Sequence, residues 1–285
     1  MKKIFILIAC LLVTTTSFAD RQFTRDYGLE VSRGNISGVM NVNKFGAAPD
    51  AIDTAITDIW GGAITTNVWV APTQARRHQL LSTSDEDSDT GGTVAQGGGA
   101  RTVEVFGLAT WGTAESSEMV TMDGTATGGN AVWTTGTYVI VHRVKVITSG
   151  ATSINVGTIT AIAETDGSIT AKIDPLDGQT EMAIYGVPST QKFYLIDWVA
   201  GIDKAQGAAS SADFHFMMNP NPDVQLGNFI RKQDISVQST GANVFQRRFK
   251  VYPSYSGPCI LKVQATASAN GIDGHAQFDG YVVDN

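Results

Sequence analysis

Apolar and polar residues alternate with a period of two along much of the chain. In residues 102–105, Val103 and Val105 are separated by the polar side chains of Thr102 and Glu104. The same alternation recurs in residues 138–146, 169–173, 193–196, 245–251 and 259–268. Because successive side chains of a β-strand point to opposite faces of a sheet, each segment is predicted to be a strand with one buried face.

Turn-forming residues separate the predicted strands. The turn sequences include Asp123-Gly124, Gly128-Gly129, Asp166-Gly167, Asp177-Gly178 and Asn270-Gly271. Glycine adopts positive φ angles without steric cost, and Asp and Asn tolerate them, so these sequences predict tight reversals between short strands. Only residues 50–60 have apolar residues at helical spacing, which predicts one short helix there with Asp50 as its cap.

This pattern predicts an all-β fold of two β-sandwich, jelly-roll-like domains. Residues 66–177 are predicted to form the first domain and residues 178–285 the second, because Pro175 to Gly178 interrupts two strand-rich blocks of domain size. Residues 20–65 contain little alternation. They are predicted to form an extended N-terminal arm that packs along the first domain or reaches a neighbouring subunit.

The first 19 residues have the layout of a secretory signal peptide. Lys2 and Lys3 precede the apolar run from Ile4 to Val13, and small residues, Ser17 and Ala19, follow it. A bilayer span needs about 20 apolar residues, so this run predicts cleavage after Ala19 rather than a membrane anchor. A short anchoring helix is the alternative. After cleavage no membrane association is expected.

Charge and cysteine content narrow the function classes. The 285 residues carry a net charge of −7, and after cleavage 18 Lys and Arg would face 27 Asp and Glu, a charge of −9. Proteins that bind nucleic acid gather cations against phosphates, so a nucleic-acid partner is not expected. Cys259 would be the only remaining thiol, which excludes an intramolecular disulfide. It is predicted to be a small residue at the start of a strand.

One acidic cluster suggests a metal site. Asp85, Asp87 and Asp89 occur at alternate positions, as in a calcium-binding loop. However, Thr90 stands where such a loop needs glycine, and Gln96 stands where it needs a bidentate glutamate. The stronger interpretation is a solvated, mobile loop, and no cofactor is predicted.

Catalytic patterns are weak in this sequence. The four histidines have no metal-binding spacing, and the nucleophile-elbow motif of serine hydrolases is absent. A carboxylate pair such as Glu104 with Glu118 could hydrolyse sugars if the two residues faced each other, which spacing alone does not decide. A non-enzymatic protein is therefore predicted.

Aromatic residues suggest a possible ligand surface. Trp111 and Tyr255 are candidates for stacking against a glycan if their rings are exposed. The alternative is that these residues belong to the core or to an interface.

Six segments occur in a recognisable order, namely TRDYGLEVSRGN (24–35), GARTVEVFGL (99–108), SEMVTMDGTA (117–126), HRVKV (142–146), GQTEMAIYGVP (178–188) and FDGYVVDN (278–285). Together they resemble a poorly characterised group of virion structural proteins from tailed bacteriophages, particularly marine ones. The resemblance spans nearly all of the mature chain. It implies a particle component that is capsid-surface, decoration or tail-associated, located in the virion. Such proteins begin near the equivalent of Thr24, and the export signal departs from that pattern.

The leading hypothesis is a non-enzymatic structural protein that acts through contacts with copies of itself and with other virion proteins. Its predicted subunit contacts are four apolar side chains of the arm, namely Tyr27, Leu29, Val31 and Phe45. The alternative is a secreted adhesin or carbohydrate-binding module in the periplasm or at the bacterial surface. The export signal supports this alternative.

Overall fold

A computed structural model describes residues 27–63, 67–205, 211–223, 227–238 and 243–285. The predicted signal peptide, residues 1–19, lies outside these residues, as does the first part of the predicted arm. Contacts divide the chain after Asn41, and Val42–Asn285 form one compact unit. The described residues before that boundary include a short helix, α1 (Tyr27–Ser32). Among the described residues, no helix has the length and apolarity needed to span a bilayer.

Two five-stranded sheets contain most of the second half of the chain. Sheet I has the order β1 (Val39–Ile52), β17 (Ile272–Asp284), β11 (Gln191–Ala205) and β14 (Val244–Arg248), and β15 (Ser254–Ser256) also pairs with β11. Sheet II has the order β10 (Ile184–Val187), β16 (Cys259–Ala267), β12 (Ser211–Asn219) and β13 (Ile230–Gln238), and β2 (Thr57–Asp58) also pairs with β16. Strand β11 is antiparallel to β14, β15 and β17.

Two smaller sheets are built from residues 78–173. Sheet III has the order β6 (Val132–Trp133), β3 (His78–Ser82), β8 (Ile159–Ala163) and β9 (Ile169–Ile173). Sheet IV has the order β5 (Ser116–Thr121), β4 (Ala100–Leu108) and β7 (Ile140–Ser149). A turn of 3-10 helix covers Gly128–Asn130.

The period-two pattern explains why these segments are strands. In β17, alternate residues from Ile272 to Val282 are buried, and the residues between them are partly exposed. In β4, Val103 and Val105 are fully buried, whereas Thr102 and Glu104 are partly exposed. Burying one face of each strand removes its apolar side chains from water, which is the main favourable term in folding. The all-β sandwich prediction is confirmed.

An aromatic cluster joins sheets I and II. The ring of Phe216 in β12 lies 6.1 Å from Trp198, 5.6 Å from Tyr255 and 5.3 Å from Phe278, measured between ring centroids. The three partners belong to β11, β15 and β17 of sheet I. These tilted and edge-to-face contacts are the geometries that aromatic pairs prefer. They pack the two sheets face to face around one core.

The predicted turns agree with the backbone. Positive φ angles occur at glycines in all five turn sequences, namely Gly124, Gly128, Gly167, Gly178 and Gly271. These positions therefore require the conformation that glycine adopts at least cost.

Two predictions about residues 20–65 were wrong in part. Residues 39–52 and 57–58 are strands of sheets I and II, so this region is not wholly an extended arm. The predicted helix at 50–60 does not form, because the apolar residues that suggested it lie on and between these strands. Apart from β1 and β2, the strands of sheets I and II follow residue 177 and those of sheets III and IV precede it, although Val42–Asn285 form one compact unit with a continuous apolar core. The division into two domains stays a prediction.

Candidate functional site

A pocket of about 440 Å³ is the first candidate site, and we call it the aromatic pocket. Its walls include Trp69, from the segment between β2 and β3, Trp111, from the turn after β4, and Phe229, which immediately precedes β13. Pro72 and Pro222 add further apolar surface. The pocket therefore gathers rings from three distant parts of the chain.

Buried hydrogen bonds hold Trp69 in place. Its backbone N–H donates to Asp58 Oδ2 at 2.8 Å, and its indole Nε1–H donates to the Thr170 carbonyl oxygen at 2.8 Å. Asp58 also forms an ion pair with Lys262, with Nζ and Oδ2 2.7 Å apart. Both partners of the pair are at most 1% exposed. Trp69 is thus fixed by groups that water scarcely reaches.

The same ion pair supports the wall formed by Phe229. Lys262 Nζ lies 3.9 Å from the centroid of the Phe229 ring, a cation–π contact. Burial lowers the pKa of Lys262 and raises the pKa of Asp58, and the attraction between the two groups acts against both changes. Loss of either partner would leave the other as an unpaired buried charge.

The polar rim of the aromatic pocket carries a single charge. Thr73, Gln74, Asn219 and Asp223 line it, and Asp223 is the only charged residue among the lining side chains. Asp223 is exposed. With its oxygen placed toward Arg76, the Gln74 amide accepts from Arg76 Nη1 at 2.6 Å, which leaves its NH₂ group as a donor.

The second candidate is a surface that we call the cationic edge, residues 230–238 and 243–252. It contains β13 and β14, the outer strands of sheets II and I. Within the described parts of the chain, no strand pairs with the outer side of either. A groove of about 360 Å³ runs between them, lined by residues 234–236 and 245–248.

Apolar and basic side chains are mixed on the cationic edge. Val244, Phe245, Val251 and Tyr252 are 49%, 51%, 85% and 46% exposed. Every residue of β14 is exposed, so the prediction of a buried face on this strand was wrong. The reason is its position at the end of sheet I, where no other sheet of the described residues covers it.

Charge is unevenly distributed between the cationic edge and the rest of the chain. Residues 230–252 contain five Lys and Arg and one Asp, a net charge of +4. Since the whole chain carries −7, all other residues together carry −11. The five basic side chains are exposed, and they are Arg231, Lys232, Arg247, Arg248 and Lys250. The segments of this edge therefore carry a net positive charge in an acidic chain.

A buried polar cluster surrounds His142 in β7. Its Nε2 lies 2.5 Å from Glu115 Oε2, and its carbonyl oxygen accepts a hydrogen bond from Lys44 Nζ. Burial lowers the pKa values of His142 and Lys44. Burial would raise the pKa of Glu115, but His142, Lys44 and Arg143 outweigh it and lower that pKa. Each group has a partner, and the cluster joins β1, β7 and the loop before β5.

The four predicted subunit contacts differ in how exposed their side chains are. Tyr27 and Leu29 are 54% and 45% exposed on α1, so their assignment stays a prediction. Val31 is 3% exposed and is unavailable as a surface anchor. Phe45 is partly buried in β1 and belongs to sheet I rather than to an arm.

The two predicted glycan contacts also differ. Trp111 is partly exposed and lines the aromatic pocket. Tyr255 is 6% exposed and packs against Phe193 and Phe216, so its assignment as a glycan contact was wrong. The sequence did not identify Trp69 and Phe229 as partners of Trp111, because only the fold brings these segments together.

The acidic loop is held by hydrogen bonds. Asp87 is fully buried and accepts from the backbone N–H groups of Ala100, Val156 and Gly157 at 2.8 Å. Asp85 accepts from the hydroxyl of Thr125, and Asp89 accepts from Thr90 N–H and the Gln96 amide. No group of three metal-ligating side chains forms among the described residues. These hydrogen bonds give each of the three acids a structural role. Apart from Asp87 and Ser88, residues 83–98 are exposed or partly exposed, as a solvated loop requires, and the mobility of the loop stays a prediction.

The remaining chemical candidates have structural explanations. Glu104 pairs with Met119 and Glu118 pairs with Val105, so the two glutamates lie on opposite faces of sheet IV and cannot form the proposed carboxylate pair. Cys259 is buried at the start of β16, as predicted, and burial raises the pKa of its thiol to about 12.

Comparisons with known proteins add little to this picture. No protein-family model matches the chain, and no curated protein sequence matches it. Among solved structures, the chain is similar to the crystal structure of the infectious bursal disease virus VP2 subviral particle. The TM-score is 0.19 with 6% sequence identity, over 87% of this chain and 72% of that chain. A TM-score of this size carries no argument about the fold or the function of this protein.

Proposed function

We propose that the protein is a non-enzymatic structural component of a tailed-phage particle and that it works through contacts between subunits. The observation that carries the proposal is the cationic edge. It combines exposed apolar side chains with a charge of +4 on a chain whose other residues carry −11. A second copy therefore offers the acidic surface that this edge complements.

The proposed contact is heterologous, because a positive edge of one copy meets acidic surface of the next. Such head-to-tail contacts generate rings or extended arrays, which are the assemblies that particle proteins form. The exposed side chains of Phe245 and Tyr252 supply apolar area that no described part of the chain covers and that a partner could bury. The resemblance to virion proteins is the reason for assigning this assembly to a phage particle.

The basic residues have a competing explanation. Lys and Arg on edge strands also prevent uncontrolled pairing between sheets. The two explanations predict opposite effects of charge reversal, because removal of a protective charge increases association and removal of a docking charge decreases it.

The test is sedimentation velocity of the double variant Arg247→Glu/Arg248→Glu at low salt. We expect association at least about tenfold weaker than in the natural chain, since like charges would then face each other. The matched control, Arg77→Glu/Lys192→Glu, makes the same change in net charge outside the cationic edge and should leave association nearly unchanged. Equal or stronger association of the first variant would reject the proposal.

The setting in a particle is tested by electron microscopy of the native assembly. The chain should occupy repeated positions in a capsid, its surface or a tail. Purification of the chain from culture medium, with no particle attached, would instead favour the secreted adhesin.

A further inference from the structure

We propose that the aromatic pocket binds one ring of a neutral pyranose sugar, which stacks on Trp111 and bonds to the polar rim. This binding goes beyond the proposed structural function and does not depend on subunit contacts. It would give an assembled particle, or a single chain, a means to recognise glycan.

The walls match the apolar face of a sugar. A pyranose ring presents C–H groups on its faces and hydroxyl groups around its edge, so it needs an aromatic surface and a polar rim together. Trp111 is partly exposed, which leaves part of its ring available to a ligand, and Trp69 is 3% exposed beside it. The pocket volume of about 440 Å³ is typical of small-molecule sites, which span about 300–1,000 Å³.

The rim offers both kinds of hydrogen-bonding group that sugar hydroxyls require. The Asp223 carboxylate is an acceptor with two oxygens, and the Gln74 NH₂ group is a donor once its oxygen bonds Arg76. A hydroxyl group donates and accepts at once. A purely apolar ligand would form no hydrogen bonds with these rim groups.

Charge restricts the class of ligand. Among the described residues that line the pocket none is basic, and the one charged side chain, that of Asp223, is negative. Phosphorylated, sulfated or carboxylated sugars would therefore meet repulsion from Asp223, and the nearby Arg76 guanidinium is already paired with Asp166. This argument selects neutral sugars over acidic ones.

Support behind two of the walls fixes Trp69 and Phe229 before any ligand arrives. Trp69 is held by two hydrogen bonds, and Phe229 packs against the buried ammonium of Lys262. The conformational entropy that these side chains lose on binding is therefore small. Weak stacking contacts and hydrogen bonds are then sufficient for millimolar affinity.

The experiment is a titration of the full chain followed by tryptophan fluorescence and by chemical shifts of the indole N–H groups. The probes are the methyl pyranosides of glucose, galactose and mannose. Choline and N-acetylneuraminic acid test the cationic and anionic alternatives. We expect saturable binding of at least one neutral pyranoside, with a Kd on the order of 1 mM, and none of the acidic sugar. Saturation by choline alone, or by none of the probes, would overturn the proposal.

Variants connect the signal to the pocket. Trp111→Ala should weaken pyranoside binding at least about tenfold, whereas the control Trp133→Ala, at a tryptophan outside the pocket, should leave the affinity unchanged. If Trp111→Ala does not fold, Trp111→Phe retains an aromatic ring and should bind within about threefold of the natural chain. Asp223→Asn, at an exposed position, should then weaken binding about threefold to tenfold. Unaltered affinity in both Trp111→Ala, where it folds, and Asp223→Asn would show that the sugar binds elsewhere.

Discussion

The aromatic pocket and the cationic edge differ in what lies behind their exposed side chains. Behind the pocket is the buried Asp58–Lys262 pair, which fixes Trp69 and supports Phe229. Strand β14 of the cationic edge has no such support, since all of its residues are exposed and it is hydrogen-bonded on one side only.

This difference suits the two surfaces to different partners. A small ligand makes few contacts, so its site must be rigid before binding. A protein partner buries a large area and can order exposed side chains as it docks. Substitutions behind the pocket should therefore change stability, whereas substitutions on the cationic edge should change association and leave the fold intact.

The largest expected effect comes from breaking the buried ion pair. Lys262→Met leaves the Asp58 carboxylate buried without its counter-ion, and we expect the free energy of unfolding to fall by about 3–5 kcal/mol. Denaturant unfolding measures this loss. The double variant Asp58→Leu/Lys262→Met, which leaves no unpaired charge, should recover most of it.

The control for that experiment is an exposed pair. Arg77 and Glu164 are 44% and 37% exposed, with Nη2 and Oε1 2.6 Å apart. Arg77→Gln should cost less than about 1 kcal/mol. An equal cost for the buried and the exposed pair would remove the contrast between the pocket and the surface.

Acid should weaken the side of the molecule that carries the pocket. His78 begins β3, three residues after the pocket-lining segment 69–75, and it is fully buried. Burial lowers its pKa from 6.5 to about 4. Below about pH 6.5 the unfolded chain gains a proton that the folded chain does not accept until about pH 4, so stability is full above this window and falls through it.

A shift of this size corresponds to about 3 kcal/mol lost between pH 6.5 and pH 4. His78→Phe keeps an aromatic ring beside Tyr138 and removes the titrating group. The difference in unfolding free energy between the natural chain and His78→Phe, measured across this window, should change by that amount in favour of the variant at low pH. Parallel stability curves would contradict the assignment.

The smallest effect on stability is expected at the cationic edge. Phe245→Ala removes a ring that is 51% exposed, and the unfolding free energy should change by no more than about 0.5 kcal/mol. The matched substitution in the core, Phe216→Ala, should cost about 3–5 kcal/mol. A large loss of stability in Phe245→Ala would mean that this edge belongs to the folded core and is not a docking surface.

Local sequence pattern predicted the strands well where one face meets the core. Alternation located β4, β7, β9, β11 and β16, and the glycines of the predicted turns adopt positive φ. The pattern failed at β14, where the same alternation occurs without burial. It also missed β1, where burial alternates but the buried face carries Lys44, Gly46 and Ala48, and β2, which is only two residues long.

The candidate sites were harder to predict than the strands. Trp111 was identified as a possible ligand contact because tryptophan stacks well, and Tyr255 was identified by the same argument, but the latter ring is buried. The type of a residue does not by itself indicate whether its side chain is exposed in the folded protein. Asp58 and Lys262 carried no local signal, since their pairing joins positions 204 residues apart.

The sequence by itself determined the all-β class, the positions of the turns and the excess of acidic over basic residues, because alternation, glycine and charge act within a few residues or need only be counted. Only the tertiary structure decided which aromatic rings converge, which acids are buried and where the basic residues form a surface. These properties depend on contacts between segments far apart in the chain, and such contacts exist only after the sheets have packed.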